Sequence, residues 1–339
     1  MKQFTQICLI TLLCLAFLKP GAVWAMSSEV QQIMLEGIAL HNIGEYSAAI
    51  DTYLQALQSA PDEPIIYYEL GYSYFAAGQF DKCIAAAQEG LSLQPAGNLE
   101  PGLYVLQGSC YSTDNRFEEA LTAFRAGLAK YPNHTGLNYN IAITLTKTQQ
   151  YAEAIAHVKT AVIQSPDYAS SYFLLAQLYE AQAELVPSLA YYLRFAMLEQ
   201  NTTRTRYAAY SARVLAHVGI VVERDGEYYI RRSADDSSTL LIGLKMAMLS
   251  QETDAAKSRA AKFVNGLTSF VRICSELNDE ELRNSFVWEY ALGYLVSLHE
   301  HGHLDAFLYY LASQEDLLGA DAWLQAHPNA VRELLDYLR

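Results

Sequence analysis

The chain has 339 residues, a formal net charge of −14 at pH 7, and 52% hydrophobic against 18% charged residues. That apolar content excludes intrinsic disorder, and the length predicts two domains or one long repeat array. The acidic balance argues against nucleic acid and anionic membranes as partners, because both attract surfaces rich in lysine and arginine. Tyrosine is frequent, with 25 Tyr against 12 Phe and 3 Trp, and tyrosine suits half-buried surfaces.

The first 25 residues have the pattern of a secretory signal peptide. Lys2 precedes an apolar run from Ile7 to Leu18, and small residues stand at Val23 and Ala25. This order predicts cleavage after Ala25 and export, with a periplasmic location in a bacterium. The apolar run is too short to span a bilayer comfortably, so a retained anchor is the lesser alternative. No later stretch is longer, so we expect no integral span in the mature chain, whose net charge becomes −16.

From residue 30 onward the sequence repeats itself. Three copies begin at Gly37, Gly71 and Gly108, and each has an aromatic residue nine positions later and a proline 24 positions later. Two less regular copies follow, with Ala142 and Ala176 in the place of the glycine. With this period and these positions the chain resembles the tetratricopeptide repeat family, whose unit is a 34-residue helix–turn–helix.

The resemblance implies an all-α fold with about five repeats over residues 30–203. In that family, stacked helix pairs wind a right-handed superhelix with a concave inner face, because no pair can bury its apolar stripe alone. Two irregularities stand out. Three extra residues near Gly97 separate the second and third copies, and Asn201 stands where the fifth closing proline belongs.

After the array the period is lost. Residues 204–238 predict a capping helix, a β-hairpin around an Asp225-Gly226 turn, and a linker. Residues 239–339 return to a helical pattern and predict a smaller helical C-terminal domain. The two-domain expectation from length is therefore met by a repeat arm followed by a less regular domain.

One motif raises the question of catalysis. His299, Glu300 and His303 fit H-E-x-x-H, in which two histidines on one helix face bind Zn²⁺ and the glutamate activates the metal-bound water. Gly302 inside the motif favours a helix that ends near Glu300, followed by a histidine-rich turn. A zinc-dependent hydrolase with a repeat docking arm is therefore the alternative. The leading prediction is a protein without catalytic residues, metal or cofactor.

The three cysteines of the mature chain are predicted to have structural roles and not to be reactive thiols. Cys83 occupies a repeat position that is alanine in the family, between packed helices, which favours a buried thiol. A bridge between Cys83 and Cys110 is compatible with an oxidising compartment, but the spacing does not establish it. Cys274 lies on an apolar helix and is expected in the core.

The resemblance also places ligand-facing residues on the first helix of each pair. Carried over by repeat phase, the candidate partner-binding residues are Tyr68, Glu69, Tyr72, Phe75, Tyr139, Asn140, Phe173 and Gln177, flanked by Met34, Leu35, Ile38, Val105, Ser109, Ile143 and Leu174. Family members that clamp a carboxylate use lysine, arginine and asparagine here, and only Asn140 matches. An aromatic and polar groove suits an extended peptide or a partner helix, while packing between repeats is the competing role for these aromatics.

The leading hypothesis is therefore an exported protein-interaction or scaffolding module of a bacterial cell envelope, with a protein or peptide partner. Neutral or basic peptides suit the acidic chain best. A third hypothesis makes the C-terminal domain the functional part and gives the repeats a role in self-association. Fold alone does not decide among these, and neither the partner nor the oligomeric state follows from the sequence.

Overall fold

The computed structural model describes residues 26–217, 220–222, 228–230, 248, 257–276 and 280–338. The predicted signal peptide, residues 1–25, lies outside them and stays a prediction. The chain divides into two compact units, Met1–Gln164 and Ser165–Arg339, which we call unit 1 and unit 2. The predicted all-α repeat class is confirmed, and within the described residues no helix is long and apolar enough to cross a membrane.

Unit 1 is a series of helix pairs. Its helices are α1 (Ser28–Asn42), α2 (Tyr46–Ser59), α3 (Pro64–Ala76), α4 (Phe80–Ser92), α5 (Leu99–Thr113), α6 (Phe117–Lys130), α7 (Thr135–Lys147) and α8 (Tyr151–Gln164). Within each pair the chain reverses through one residue with positive φ, namely Gly44, Gly78, Asn115 and Gln149. Glycine and asparagine tolerate that backbone conformation best, which explains three of the four turns; Gln149 adopts it in the fourth.

The helices of unit 1 pack in sequence. Each first helix packs on its own second helix and on the first helix of the next pair, so α1, α3, α5 and α7 lie side by side. A Cβ at Gly108 would lie 2.6 Å from Cζ of Phe124, and one at Gly37 would lie 2.8 Å from Cζ of Tyr53. Phe124 and Tyr53 are fully buried, so these glycines let an aromatic ring of the second helix fill the space between the pair.

A disulfide joins neighbouring pairs. Cys83 on α4 and Cys110 on α5 are bonded, with their Cα atoms 6.4 Å apart and both side chains fully buried. The bridge that the sequence left open is therefore formed, and it ties the second pair to the third. Cys274 is a free, buried thiol, as predicted.

Unit 2 contains the fifth pair and the C-terminal helices. Its elements are α9 (Ala169–Ala181), α10 (Leu185–Leu198), α11 (Thr203–His217), strands β1 (Ile220–Val222) and β2 (Tyr228–Ile230), α12 (Arg259–Glu276), α13 (Glu280–Arg283), a π-helical turn (Trp288–Leu292), α14 (Gly293–Glu300), α15 (Leu304–Gln314), α16 (Ala320–Ala326) and α17 (Pro328–Tyr337). α10 packs on the π-helical turn and α11 on α15. The Nε of Arg213 lies 2.9 Å from a carboxylate oxygen of Glu315, which ties α11 to the end of α15.

The C-terminal part contains a short pair of strands and several short helices. The two strands pair antiparallel, with Val221 opposite Tyr229, but the turn between them lies outside the described residues, so the hairpin as a unit stays a prediction. The predicted helical pattern of residues 239–339 is confirmed where the structure describes it, as short helices interrupted by a π-helical turn at Trp288–Leu292, and Pro328 begins α17. The predicted domain bounds come from sequence similarity and not from packing. They are 30–203, 204–238 and 239–339, and they stay a prediction.

Candidate functional site

The candidate site lies along the first helices of unit 1. Residues 68, 69, 72 and 75 share one face of α3, residues 105 and 109 one face of α5, and residues 139, 140 and 143 one face of α7, because these positions are one or two helical turns apart. We call the set Tyr68, Glu69, Tyr72, Phe75, Val105, Ser109, Tyr139, Asn140 and Ile143 the inner row. The side-by-side packing of α3, α5 and α7 joins these faces into one surface.

Two glycines set the spacing between neighbouring helices of the inner row. A Cβ at Gly102 on α5 would lie 3.1 Å from Cε2 of Tyr68, and one at Gly136 on α7 would lie 3.7 Å from Cγ2 of Val105. Residues of one helix therefore rest on a glycine of the next. These glycines were not among the predicted site residues, although they recur at the repeat period of about 34 residues.

The aromatic residues of the inner row differ in exposure. Tyr68 is only 9% exposed and meets Tyr72 edge to face, with ring centroids 4.9 Å apart. Tyr72, Phe75 and Tyr139 are half-buried. Tyr68 is therefore largely a packing residue, whereas the other three leave part of their ring surface exposed.

Asn140 is held by its own helix. Its amide Nδ2 donates to the carbonyl oxygen of Gly136 at 2.8 Å. This bond fixes the side-chain amide at the surface of α7 and leaves its oxygen as an acceptor. Asn140 is thus suited to accept a hydrogen bond from a peptide N–H.

Polar contacts join successive first helices near their C-terminal ends. Nδ1 of His41 lies 2.9 Å from Oγ of Ser73, and the hydroxyl of Thr144 donates to Oγ of Ser112 at 3.1 Å. Nζ of Lys147 donates to the carbonyl oxygen of Ser112 at 2.9 Å. Burial lowers the pKa of His41 and of Lys147. These contacts fix the register between neighbouring first helices.

Glu69 has an unusual environment for a carboxylate. It lies on α3 beside the Tyr68–Tyr72 pair, and burial raises its pKa to about 7. Among the described residues it has no hydrogen bond or ion pair. Glu69 is half-buried by exposure, and its carboxylate is thus the acidic group of the inner row.

The candidate residues on α9 belong to unit 2 and are described there by themselves. Phe173 lies in an aromatic cluster, with ring centroids 4.9 Å from Phe195 and 5.7 Å from Tyr207, and the guanidinium of Arg204 stacks over it. Gln177 is exposed on the same helix. Phe173 therefore serves packing between α9, α10 and α11, a role the sequence could not distinguish from ligand contact.

The H-E-x-x-H motif does not form a zinc site of the predicted kind. α14 ends at Glu300, Gly302 has a φ of +76°, and α15 begins at Leu304. His299 and His303 consequently do not share one helix face, which the zinc-binding motif requires. The zinc-hydrolase alternative was wrong on this point, and the histidine-rich turn is the observed structure. Within the described residues no group of three or more His, Cys, Asp or Glu is arranged to hold a metal ion.

A separate recess of about 270 Å³ lies between the third and fourth pairs. It is lined by Leu128, Pro132, Asn138, Glu153, Ala156, His157 and Thr160. None of these belongs to the inner row. Its volume is below the roughly 300–1,000 Å³ of small-molecule sites, so it has room for a side chain rather than a cofactor.

Comparison with known proteins agrees with the repeat architecture. One family model, described as TPR repeat, matches residues 37–95, and another, described as Tetratricopeptide repeat, matches residues 113–178. The gap between the two matches contains Gly97, where the repeat spacing is irregular. The second match ends inside α9, as expected from the less regular fifth copy.

Individual curated relatives match less than half of the chain. A peroxisomal targeting signal receptor of Candida glabrata is 30% identical over 100 residues, which are 30% of this chain and 16% of the receptor. The small glutamine-rich tetratricopeptide repeat-containing protein 2 of Mycosarcoma maydis is 22% identical over 134 residues, 40% of this chain and 37% of that protein. The chain thus spans less than two fifths of these relatives. A solved TPR protein of Thermus thermophilus aligns at 20% identity and a TM-score of 0.47, over 54% of this chain and 98% of that one.

Proposed function

We propose that this chain, a tetratricopeptide-repeat protein over residues 37–95 and 113–178, is a protein-interaction scaffold that holds an extended peptide segment along the inner row. The observation that carries the proposal is the exposure of aromatic ring surface beside a fixed amide acceptor, at Tyr72, Phe75, Tyr139 and Asn140. Aromatic side chains supply contact area with little loss of conformational entropy, and amide groups satisfy the peptide backbone.

A pair of substitutions tests the proposal. Tyr72→Ala combined with Tyr139→Ala removes two half-buried rings, whereas Tyr68 is left in place because it packs on Gly102. Leu54→Ala on α2, where Leu54 is 41% exposed, is the matched control away from the inner row. We expect the double variant to lose capture of its partners from an extract of the native cells while its melting temperature stays near that of the control. Unchanged capture by a folded double variant would refute the proposal.

We propose that the protein acts in an oxidising compartment, outside the cytoplasm of a bacterium. Two observations support this: the leader pattern of residues 1–25 and the buried Cys83–Cys110 disulfide. Structural disulfides persist in exported proteins and are rare in the cytosol. A fusion of residues 1–25 to alkaline phosphatase, which is active only after export, tests the location. We expect phosphatase activity in intact cells, and an inactive fusion would contradict export.

A further inference from the structure

We propose that the recess between the third and fourth helix pairs binds a tyrosine side chain of a partner protein. The inference goes beyond the proposed function, because none of the residues that line this recess belongs to the inner row. It starts from a difference in sequence between the fourth pair and its neighbours. The recess has a volume of about 270 Å³, which is room for one large side chain.

The fourth pair lacks a tyrosine that other pairs carry. Tyrosine stands four positions before the small signature residue in the second, third and fifth pairs, at Tyr67, Tyr104 and Tyr172. In the fourth pair this position is Asn138, which is 2% exposed and lines the recess. A ring is therefore replaced by a smaller amide at the wall of the recess.

In the fifth pair the same place is filled by large side chains. The hydroxyl of Tyr172 donates to the carbonyl oxygen of Pro166 at 2.7 Å, and its ring lies beside that of Tyr191, with centroids 6.5 Å apart. The guanidinium of Arg194 lies 5.6 Å from the ring centroid of Tyr172. Two tyrosines and an arginine thus meet at this place.

The fourth pair makes equivalent contacts with smaller side chains. The amide Nδ2 of Asn138 donates to the carbonyl oxygen of Pro132 at 3.2 Å, which is the fifth-pair bond one repeat earlier. Its Oδ1 lies 2.9 Å from Nδ1 of His157. His157 and Thr160 stand at the positions that the second tyrosine and the arginine occupy in the fifth pair. The recess is therefore the space that larger side chains fill one repeat later.

The polar groups of the recess are hydrogen-bond acceptors. Since Nδ2 of Asn138 donates to two carbonyl oxygens, its Oδ1 accepts from Nδ1–H of His157, and Nε2 is then the acceptor of that ring. Burial lowers the pKa of His157, so the ring is neutral near pH 7. The hydroxyl of Thr160 donates to the carbonyl oxygen of Ala156 at 3.2 Å, and its oxygen can still accept. The carboxylate of Glu153 is the third acceptor of the lining.

These features select tyrosine among the side chains that a partner could insert. Leu128, Pro132 and Ala156 supply apolar walls for a ring, and Pro132 and Ala156 are exposed, so the recess can be entered from solvent. The acceptors favour a ring that carries a hydroxyl donor over phenylalanine. Nη2 of Arg125 already pairs with Glu153 at 3.0 Å, which disfavours a second cation. Tyrosine is also a frequent anchor of protein interfaces.

The first test uses p-cresol, which is the side chain of tyrosine, and toluene, which lacks the hydroxyl. Binding to the full chain is followed near neutral pH by NMR of isotope-labelled leucine and alanine methyl groups. We expect p-cresol to shift the methyl signals of Leu128 and Ala156 and to bind several-fold more tightly than toluene, because its hydroxyl meets an acceptor. No shift at these methyl groups, or equal affinity of the two compounds, would overturn the inference.

Two variants fill the recess from different sides. Asn138→Tyr restores the residue of the neighbouring pairs, and Ala156→Leu adds apolar volume at an exposed position of α8. Gln55→Tyr, at an exposed position of α2, is the control. We expect both filling variants to weaken p-cresol binding at Leu128 several-fold and the control to bind like the wild type. Unchanged binding by a filling variant whose melting curve shows that it is folded would contradict the assignment.

Selection from a phage-displayed library of random linear heptapeptides tests for a protein partner. Tyrosine should be enriched in peptides selected on the wild type and on Gln55→Tyr, and this enrichment should be lost on Asn138→Tyr and on Ala156→Leu. It should persist on the combined Tyr72→Ala and Tyr139→Ala variant, in which the recess is intact.

The outcomes separate this inference from the proposed function. Tyrosine enrichment that is absent on the wild type, or that survives both filling variants, overturns the role of the recess. If surviving enrichment is instead lost on the variant of the inner row, the inner row stands as the binding surface and the inference alone falls.

Discussion

The tyrosines of the repeats occupy two environments. Tyr53, Tyr172 and Tyr192 are fully buried, and Tyr192 donates its hydroxyl to Glu180 at 2.6 Å. Tyr72 and Tyr139 are half-buried on the inner row. The high tyrosine content therefore reflects both packing within helix pairs and the lining of the candidate site.

The packing role leads to a prediction at a single glycine. Gly108→Ala would place a Cβ 2.6 Å from Cζ of the buried ring of Phe124 and closer still to other ring atoms, and crowding of this kind lowers the free energy of unfolding by about 1–3 kcal/mol. Gly136→Ala is the matched control, since its nearest neighbour is the side chain of His134 at 3.2 Å. Urea unfolding followed by circular dichroism measures both. Equal midpoints for the two variants would show that Gly108 is not needed for the close approach.

Glu69 gives a prediction on the pH dependence of stability. Its pKa is about 7 in the folded chain against 4.5 for an ordinary glutamate, so the folded state binds the extra proton between these values. The free energy of unfolding contributed by this group therefore falls as pH rises from 4.5 to 7 and is constant above that. Glu69→Gln removes the fall. We expect the variant to gain stability over the wild type at pH 8, on the order of 1–3 kcal/mol, relative to their difference at pH 4.5.

Urea unfolding at both pH values measures this difference. Glu36→Gln, the same exchange at an exposed position, controls for the loss of one negative charge from an acidic chain. A stability difference between wild type and Glu69→Gln that is independent of pH would show that the carboxyl is hydrated in the folded state.

At the scale of helices, the disulfide joins two pairs that also meet through side-chain packing and through an ion pair between Arg116 and Asp81. The bonded cysteines are 27 residues apart, and closing a loop of that length is worth about 3–4 kcal/mol through the entropy of the unfolded chain. We expect Cys83→Ala combined with Cys110→Ala to lower the urea midpoint, and a reducing agent to lower the wild-type midpoint while leaving the double variant unchanged. If the reducing agent lowers the midpoint of both proteins equally, the loss of stability does not come from the Cys83–Cys110 bond.

Much of the helix pattern could be predicted because signature positions of the repeat coincide with the starts of helices. Tyr46, Phe80 and Phe117, nine positions after the signature glycines, are the first residues of α2, α4 and α6. The disulfide could not be predicted, since it depends on the distance between side chains of different pairs. The sequence also could not show that Tyr68 is buried while Tyr72 is partly exposed. This difference depends on which side chain packs on Gly102 of the next helix.

The H-E-x-x-H segment shows the limit of a short motif. Four-residue spacing implies a shared helix face only where the helix is continuous. Here Gly302 with its positive φ ends the continuity. Gly302 already indicated a turn at this place in the sequence.

For the whole molecule, packing and sequence similarity divide the chain differently. The repeats resemble one another up to residue 203, yet the fifth pair belongs to the same compact unit as the C-terminal helices. Within unit 2, Arg194 of α10 is 5% exposed and its guanidinium lies 3.6 Å from the ring centroid of Tyr294 of α14. Such a contact between distant segments cannot be read from a repeat, which describes only neighbouring pairs.

The proposed scaffold role requires that a partner contacts the inner row of unit 1 in the native cell. Site-specific photo-crosslinking tests this directly, with p-benzoylphenylalanine in place of Tyr72 or Tyr139, and in place of the exposed Leu54 on α2 as control. We expect a discrete crosslinked partner from positions 72 and 139 and none from position 54. Crosslinks that arise equally from all three positions, or from position 54 alone, would contradict the inner row as the binding surface.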